Sequence, residues 1–243
     1  MTVRTLLALL ALLPVARTAE AQDPFEIQVY DAESAPAGEI GLETHVNFHR
    51  IDAAPDETHV TFEPHYGLTE WAELGAYLQS ALTTTGDLAY AGAKLRVKLR
   101  WPRRISGVGF GANVEISAIP KRFEPSVWGS EVRPIVDYSE GRLYASVNPI
   151  LAIDMAGDLA GHPLVEPCVK LAMRASRAVA AGVEAYGGFG PVDDLGSEHV
   201  TTTLAVIDLD GDWWTLNAGA GYSFGTTDHV LVKLIFGVRL ASL

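Results

Sequence analysis

Four histidines, His45, His49, His59 and His65, are interleaved along one short stretch with Glu43, Glu63 and, a little further on, Glu73. Imidazole beside carboxylate is the chemistry of a metal site or of a general base. Beyond them Lys94, Arg96, Lys98 and Arg100 recur at every second position, and Lys233 and Arg239 lie near the C-terminus. A hydrolase would need a nucleophile beside a histidine, but Ser80, Ser117 and Ser146 have no such partner in the local sequence. The histidines sit four, ten and six residues apart, a spacing that spreads side chains along an extended wall rather than gathering them. The expectation is a hydrogen-bonded polar lining, with no catalytic residue, no metal and no cofactor.

Asp208, Asp210 and Asp212 in the segment DLDGDWW are a faint echo of a calcium loop. The glycine comes one place early and position twelve is Gly219, not a bidentate glutamate, so a tight turn is the better reading. The acids Asp52, Asp56, Asp158, Asp193, Asp194 and Glu198 fall in segments between periodic runs. There they are solvated loop charges, with divalent cations shared with lipopolysaccharide as the alternative.

The elements that position these groups alternate with a period of two. In 57–79 Val60, Phe62 and Tyr66 share one face with Pro64, against His59, Thr61, Glu63 and His65. Leu74, Ala76 and Leu78 then oppose Glu73, Gly75, Tyr77 and Gln79 across a turn placed at Gly67, Leu68 and Thr69, which predicts an antiparallel hairpin. The pattern starts near Gly38 and predicts about twelve strands: 39–49, the two arms of the hairpin, 88–101, 107–119, 131–138, 143–153, 164–174, 179–187, 200–208, 213–224 and 229–240. Pro134 and Pro149 interrupt two of them, and a proline inside a strand normally marks an edge or a bulge. In 88–101 Ala89, Ala91, Ala93, Leu95, Val97, Leu99 and Trp101 are assigned to one face, and Tyr90, Gly92 and the four bases to the other.

Alternate connections are short, around Gly67, Arg103, Gly141, Ser176 and Gly211, while those between them include long ones such as 119–129 and 188–198. An even strand count with short turns at one end and long loops at the other fits an all-β, membrane-spanning, antiparallel up-and-down β-barrel. A charged face cannot meet hydrocarbon, at about 2 to 4 kcal/mol per basic residue near the midplane, so the charges point inward. Tyr66, Trp101, Tyr138 and Trp214 then face outward near the short-turn end, as an aromatic girdle does. A soluble barrel or sandwich would alternate equally well, but twelve strands around an apolar interior would leave a wide void.

The first residues, MTVRTLLALLALLPVARTAEAQ, carry Arg4, an apolar run from Leu6 to Ala16 and the A-x-A site Ala19, Glu20, Ala21, which predicts a signal peptide over 1–21. Residues 22–37 show no sustained period and read as a periplasmic N-terminal leader against the barrel mouth; 38–243 form the barrel. The net charge of −12 becomes −13 once two arginines and one glutamate of the signal are removed, and so acidic a chain excludes nucleic acid as a partner. A single cysteine, Cys168, leaves no internal disulfide.

Folded this way, Glu43 stands opposite Glu63, and Glu63 opposite Glu73, within about two residues of register. Three carboxylates in a row repel unless cations lie near. Lys94, Arg96, Lys98 and Arg100 supply them on one side, and barrel closure brings Lys233 and Arg239 to the other. With His45, these residues are the candidates for the lining of the lumen. The arrangement is either a charge-balanced plug that rigidifies a small barrel or a narrow polar pore with an eyelet.

Tyr66, Gly67, Leu68, Thr69, Glu70, Trp71, Ala72, Glu73, Leu74 and Gly75 resemble the YG(I/L)T(D/E)xxELG hairpin of outer-membrane barrel families grouped with the phenol meta-pathway transporter-like proteins. The resemblance implies a passive outer-membrane channel or uptake protein for small solutes in a Gram-negative cell, with no catalytic residues. A closed structural or surface-binding barrel without transport activity is the alternative. The implied partners are outer-membrane lipid and lipopolysaccharide, a small solute, and the barrel assembly machinery. In such barrels that machinery reads a terminal aromatic; this chain ends Leu240, Ala241, Ser242, Leu243, with Phe236 as a partial substitute.

Overall fold

A computed structural model describes residues 23–52, 56–82, 86–123, 126–157, 160–226 and 228–242. The expected signal peptide and Asp158 lie outside the described residues. Strands follow the alternation closely: β1 Glu39–Ile51, β2 Glu57–Thr69, β3 Ala72–Leu82, β4 Leu88–Arg100, β5 Val108–Ala118, β6 Trp128–Glu140, β7 Leu143–Asn148, β8 Leu151–Asp154, β9 Leu164–Val165, β10 Cys168–Arg174, β11 Val179–Gly188, β12 Val200–Asp210, β13 Trp214–Phe224 and β14 Asp228–Ser242. Each pairs antiparallel with its neighbours, and β1 pairs with β14 from Glu39↔Ser242 to Ile51↔Asp228, so the sheet closes on itself. Because β7 with β8, and β9 with β10, each make one interrupted stave, the wall is a closed barrel of twelve strands.

Prolines account for both interruptions. Pro149 with Ile150 separates β7 from β8, and Glu166 with Pro167 separates β9 from β10. Pro134, by contrast, lies within β6, paired with Ala112. On its other side β6 pairs with β7 only up to Val136↔Val147 and with β8 only from Val132↔Leu151. The residue without an N–H thus faces a gap in the neighbouring ladder, where no donor is required.

Two local features shift side chains from their expected places. The β2–β3 turn is at Glu70 and Trp71, beyond Gly67–Thr69, with a register shift between Gly67 and Thr69. In β3–β4 the partners jump from Gln79↔Gly92 to Ser80↔Tyr90, so Ala91 is the extra residue of a bulge. A bulge reverses inside and outside beyond itself. Ala91 is therefore buried and Tyr90 exposed, the reverse of the strict alternation expected there.

Outside, the barrel carries a band of exposed apolar side chains, among them Leu78, Leu95, Phe110, Ile116, Leu171 and Val183. Buried groups inside include His45, Glu63, Lys94, Arg96, Arg133 and Lys233. This inverts a water-soluble protein, which exposes charge and buries apolar surface. Tyr66 and Trp101 are exposed near the short-turn end, and Trp214 lies against Phe236 on the outer face.

Candidate functional site: a lumen closed by residues 23–37

The segment expected against the mouth as a periplasmic leader runs through the lumen instead. It starts among residues of the long-loop end, where Phe25 stacks on His59 with ring centroids 4.2 Å apart. It ends at the short-turn end, where the Gly38 N–H donates to the Gly67 carbonyl over 2.8 Å. Its course follows from Phe25-Glu26-Ile27-Gln28-Val29-Tyr30, six residues that alternate apolar and polar. Ile27 and Val29 join Ile150, Cys168, Tyr186, Val200, Leu204, Val206 and Leu231 in a buried apolar cluster. Glu26 and Tyr30 point to the polar wall.

That wall is the basic ladder of β4, which descends in step with acids of the leader. Lys94 Nζ lies 2.5 Å from Asp23 and 3.2 Å from both Glu26 and Glu115. Lys98 meets Asp31 at 3.1 Å, and Arg100 meets Glu33 at 2.7 Å. Arg96 instead turns to the wall, its Nε donating to Glu63 over 2.6 Å and its Nη2 to Glu73 over 2.5 Å. Arg133, fully buried on β6, holds Glu131 at 2.7 Å, donates to the Gln28 carbonyl and packs its guanidinium 4.6 Å from the centroid of the Tyr30 ring. Ser146 and Asn148 donate to the Tyr30 carbonyl, and Asn148 Oδ1 accepts from the Tyr30 N–H. At the short-turn end Arg104 forks onto Asp137 over 2.7 and 2.9 Å and also reaches Glu33 at 2.8 Å. The hydrogen bond to Asp137 leads in holding the Arg104 guanidinium above its ordinary range, against partial burial.

The predicted lining is thus mostly drawn together, with three differences. Glu43 does stand opposite Glu63, but Glu73 pairs with Gly67 because the turn lies further out. Lys233 does not flank the acid row; it reaches across to Glu184 at 2.5 Å, to Tyr186 Oη at 3.2 Å and to the leader's Ile27 carbonyl at 3.0 Å. Arg239 sits at the short-turn rim, mostly exposed, 3.7 Å from Glu39. Asp208 is held by Lys170 and Asn217, both at 2.7 Å, and the Gly211 N–H donates to the Trp214 carbonyl, a tight turn as read. Glu26, Arg133, Asp137 and Glu184 were absent from the candidates; their strand parity marked the wall residues as inward, but the leader's own alternation was the signal for Glu26.

On the short-turn side lies a vestibule of about 450 Å³, bounded above by Gln28, Val29 and Tyr30. Both signs of charge line it, with Glu43, Glu184 and Asp208 facing Lys98, Lys170 and Lys233.

No protein-family model and no curated protein matches this chain. Solved structures do. The COG4313 outer membrane channel from Pseudomonas putida F1 superposes with a TM-score of 0.62 at 11% identity, covering 88% of this chain and 100% of that one. The KdgM porin superposes with a TM-score of 0.56 at 6% identity, covering 83% of this chain and 99% of that one. The fold is that of the twelve-stranded outer-membrane barrels.

Proposed function

We propose that this chain is an outer-membrane barrel that conducts small polar solutes and is held shut at rest by its own residues 23–37. One observation carries the reading. Every stave of the wall is paired on both sides by other staves, and the leader contributes to none of those ladders. The leader can therefore leave the lumen without opening the barrel. Residence in a membrane follows from the apolar outer band, and the hairpin at Tyr66–Gly75 supports kinship with the phenol meta-pathway transporter-like families. The vestibule, with both charge signs on its walls, suits a small polar or zwitterionic solute better than an apolar one.

A second reading, a permanently closed structural or surface-binding barrel, is favoured by the apolar cluster that Ile27 and Val29 complete across the axis. Planar-bilayer recording separates the two. Wild-type protein should stay closed or open rarely, and a chain lacking 23–33, shown to be folded by its heat-modifiable gel mobility, should conduct steadily. Silence from both proteins would leave only the structural barrel.

A further inference from the structure

We propose that Glu43, His45 and Glu63 form a binding site for a divalent transition-metal ion of the zinc class in the wall of the vestibule. The observation is a juxtaposition that spacing along one strand conceals. Glu43 and His45 are two apart on the inward face of β1, and Glu63 of β2 is the direct partner of Glu43. His45 Nε2 lies 3.1 Å from Glu63 Oε2 and 3.7 Å from Glu43 Oε2, and one donor atom from each residue lies within 4.8 Å of the others. Zinc binds imidazole nitrogen and carboxylate oxygen at about 2.0 to 2.2 Å. A modest rotation of Glu43, the least buried of the three, brings all three donors onto one ion.

Charge argues the same way. Two carboxylates directly opposite one another repel. Glu63 shares Arg96 with Glu73, whereas the ion-pair partner of Glu43 among the described residues is His45 alone. His45 is fully buried and its Nδ1 has no hydrogen-bond partner among the described residues. A neutral imidazole leaves the carboxylate pair short of positive charge. A metal ion on Nε2 supplies that charge, with the ring proton held on Nδ1.

The surroundings fit a ligand set. Arg96 Nε holds Glu63 Oε1 over 2.6 Å, which orients the carboxylate and leaves Oε2 for the ion. Gln28 of the leader approaches Glu43 Oε2 with its Nε2 at 3.3 Å, and its buried Oε1 has no partner among the described residues. Rotating that amide presents a carbonyl oxygen to the same point, which would tie the leader to β1 through the metal. Glu43 and Gln28 both line the vestibule, so the ion arrives from the short-turn side and keeps a position for water.

The test uses the untagged full chain, refolded in detergent and titrated with Co2+ under visible absorption, then with Zn2+ in competition. Wild type should take up a single equivalent. Glu43→Gln and His45→Gln should each weaken binding at least about tenfold. His162→Gln, which alters an exposed histidine paired with Asp193, should leave it unchanged. Zinc-edge X-ray absorption of the wild-type complex should show one imidazole among oxygen ligands. No uptake by wild type, unaltered affinity in either folded variant, or a shell with several imidazoles or with sulfur would each overturn the proposal. None of these readouts depends on conduction.

Discussion

The phenolic oxygens of Tyr30 and Tyr77 lie 2.5 Å apart in the middle of the barrel, one from the leader and one from β3. Tyr30 Oη also reaches Glu26 Oε1 at 2.9 Å, and it has a single proton. Tyr77 Oη likewise reaches Glu115 Oε1 at 3.4 Å, so either phenol can donate in the pair, and a wall residue holds the leader in a hydrogen-bond network between two buried carboxylates. Tyr77→Phe leaves the ring and removes the hydroxyl, so it should destabilise the closed state by about 1 to 2 kcal/mol. Hydrogen exchange at the leader amides should quicken in that variant while the wall strands stay protected.

Lys94 is the common partner of Asp23, Glu26 and Glu115. Lys94→Met keeps much of the volume and removes the cation that Asp23 and Glu115 share with Glu26, which keeps Arg133 at 3.4 Å. Breaking a buried pair from one side costs about 3 to 5 kcal/mol. Urea unfolding should show that loss in the full chain, and a smaller one in a chain lacking 23–33, where two of the three acids are gone.

Gly67 has the Pro36 carbonyl so close that a Cβ would overlap it. Gly67→Ala should force the end of the leader off the wall at a cost of about 1 to 3 kcal/mol. Limited proteolysis should then cut near Pro36 in folded protein, whereas wild type should resist.

Leu95 is among the most exposed apolar side chains of the band. In a lipid-embedded barrel Leu95→Arg should cost about 2 to 4 kcal/mol, measured by reversible unfolding into vesicles. A change near zero would contradict a hydrocarbon environment at that height.

Cys168 is buried, with its Sγ 3.8 Å from the Gln28 carbonyl and 3.6 Å from Asn148 Oδ1. A membrane-impermeant maleimide should label it slowly in wild type and faster in Gly67→Ala or in the chain lacking 23–33, since thiol reactivity needs access. Equal rates would mean that the leader does not shield it.

Strand parity was legible because each inward position in β1, β2, β12 and β14 is set by the pleat alone, and closure of the barrel followed from the even count. The bulge at Ala91 was not, since a strand one residue longer than its partner leaves the alternation unbroken in sequence. The pairing of Glu43 with Glu63 was legible as well, but the approach of His45 to both carboxylates was not, because it depends on side-chain rotamers that the alternation leaves open. The leader was misread because its alternation lasts only from Phe25 to Tyr30, and beyond it each side chain answers to an individual partner in the lumen. In hindsight the acids Asp23, Glu26, Asp31 and Glu33 match the bases from Lys94 to Arg100 in order.

That match makes residues 23–37 a tethered counterion for β4. Withdrawn, they would leave Lys98 and Arg100 facing open lumen without Asp31 and Glu33, and the stripe would attract mobile anions to take their place. Supplying those anions is easier in concentrated electrolyte, where the Debye length falls from about 10 Å at 0.1 M to about 3 Å at 1 M. On that reading, dilute solution should keep the segment seated and brine should favour its release.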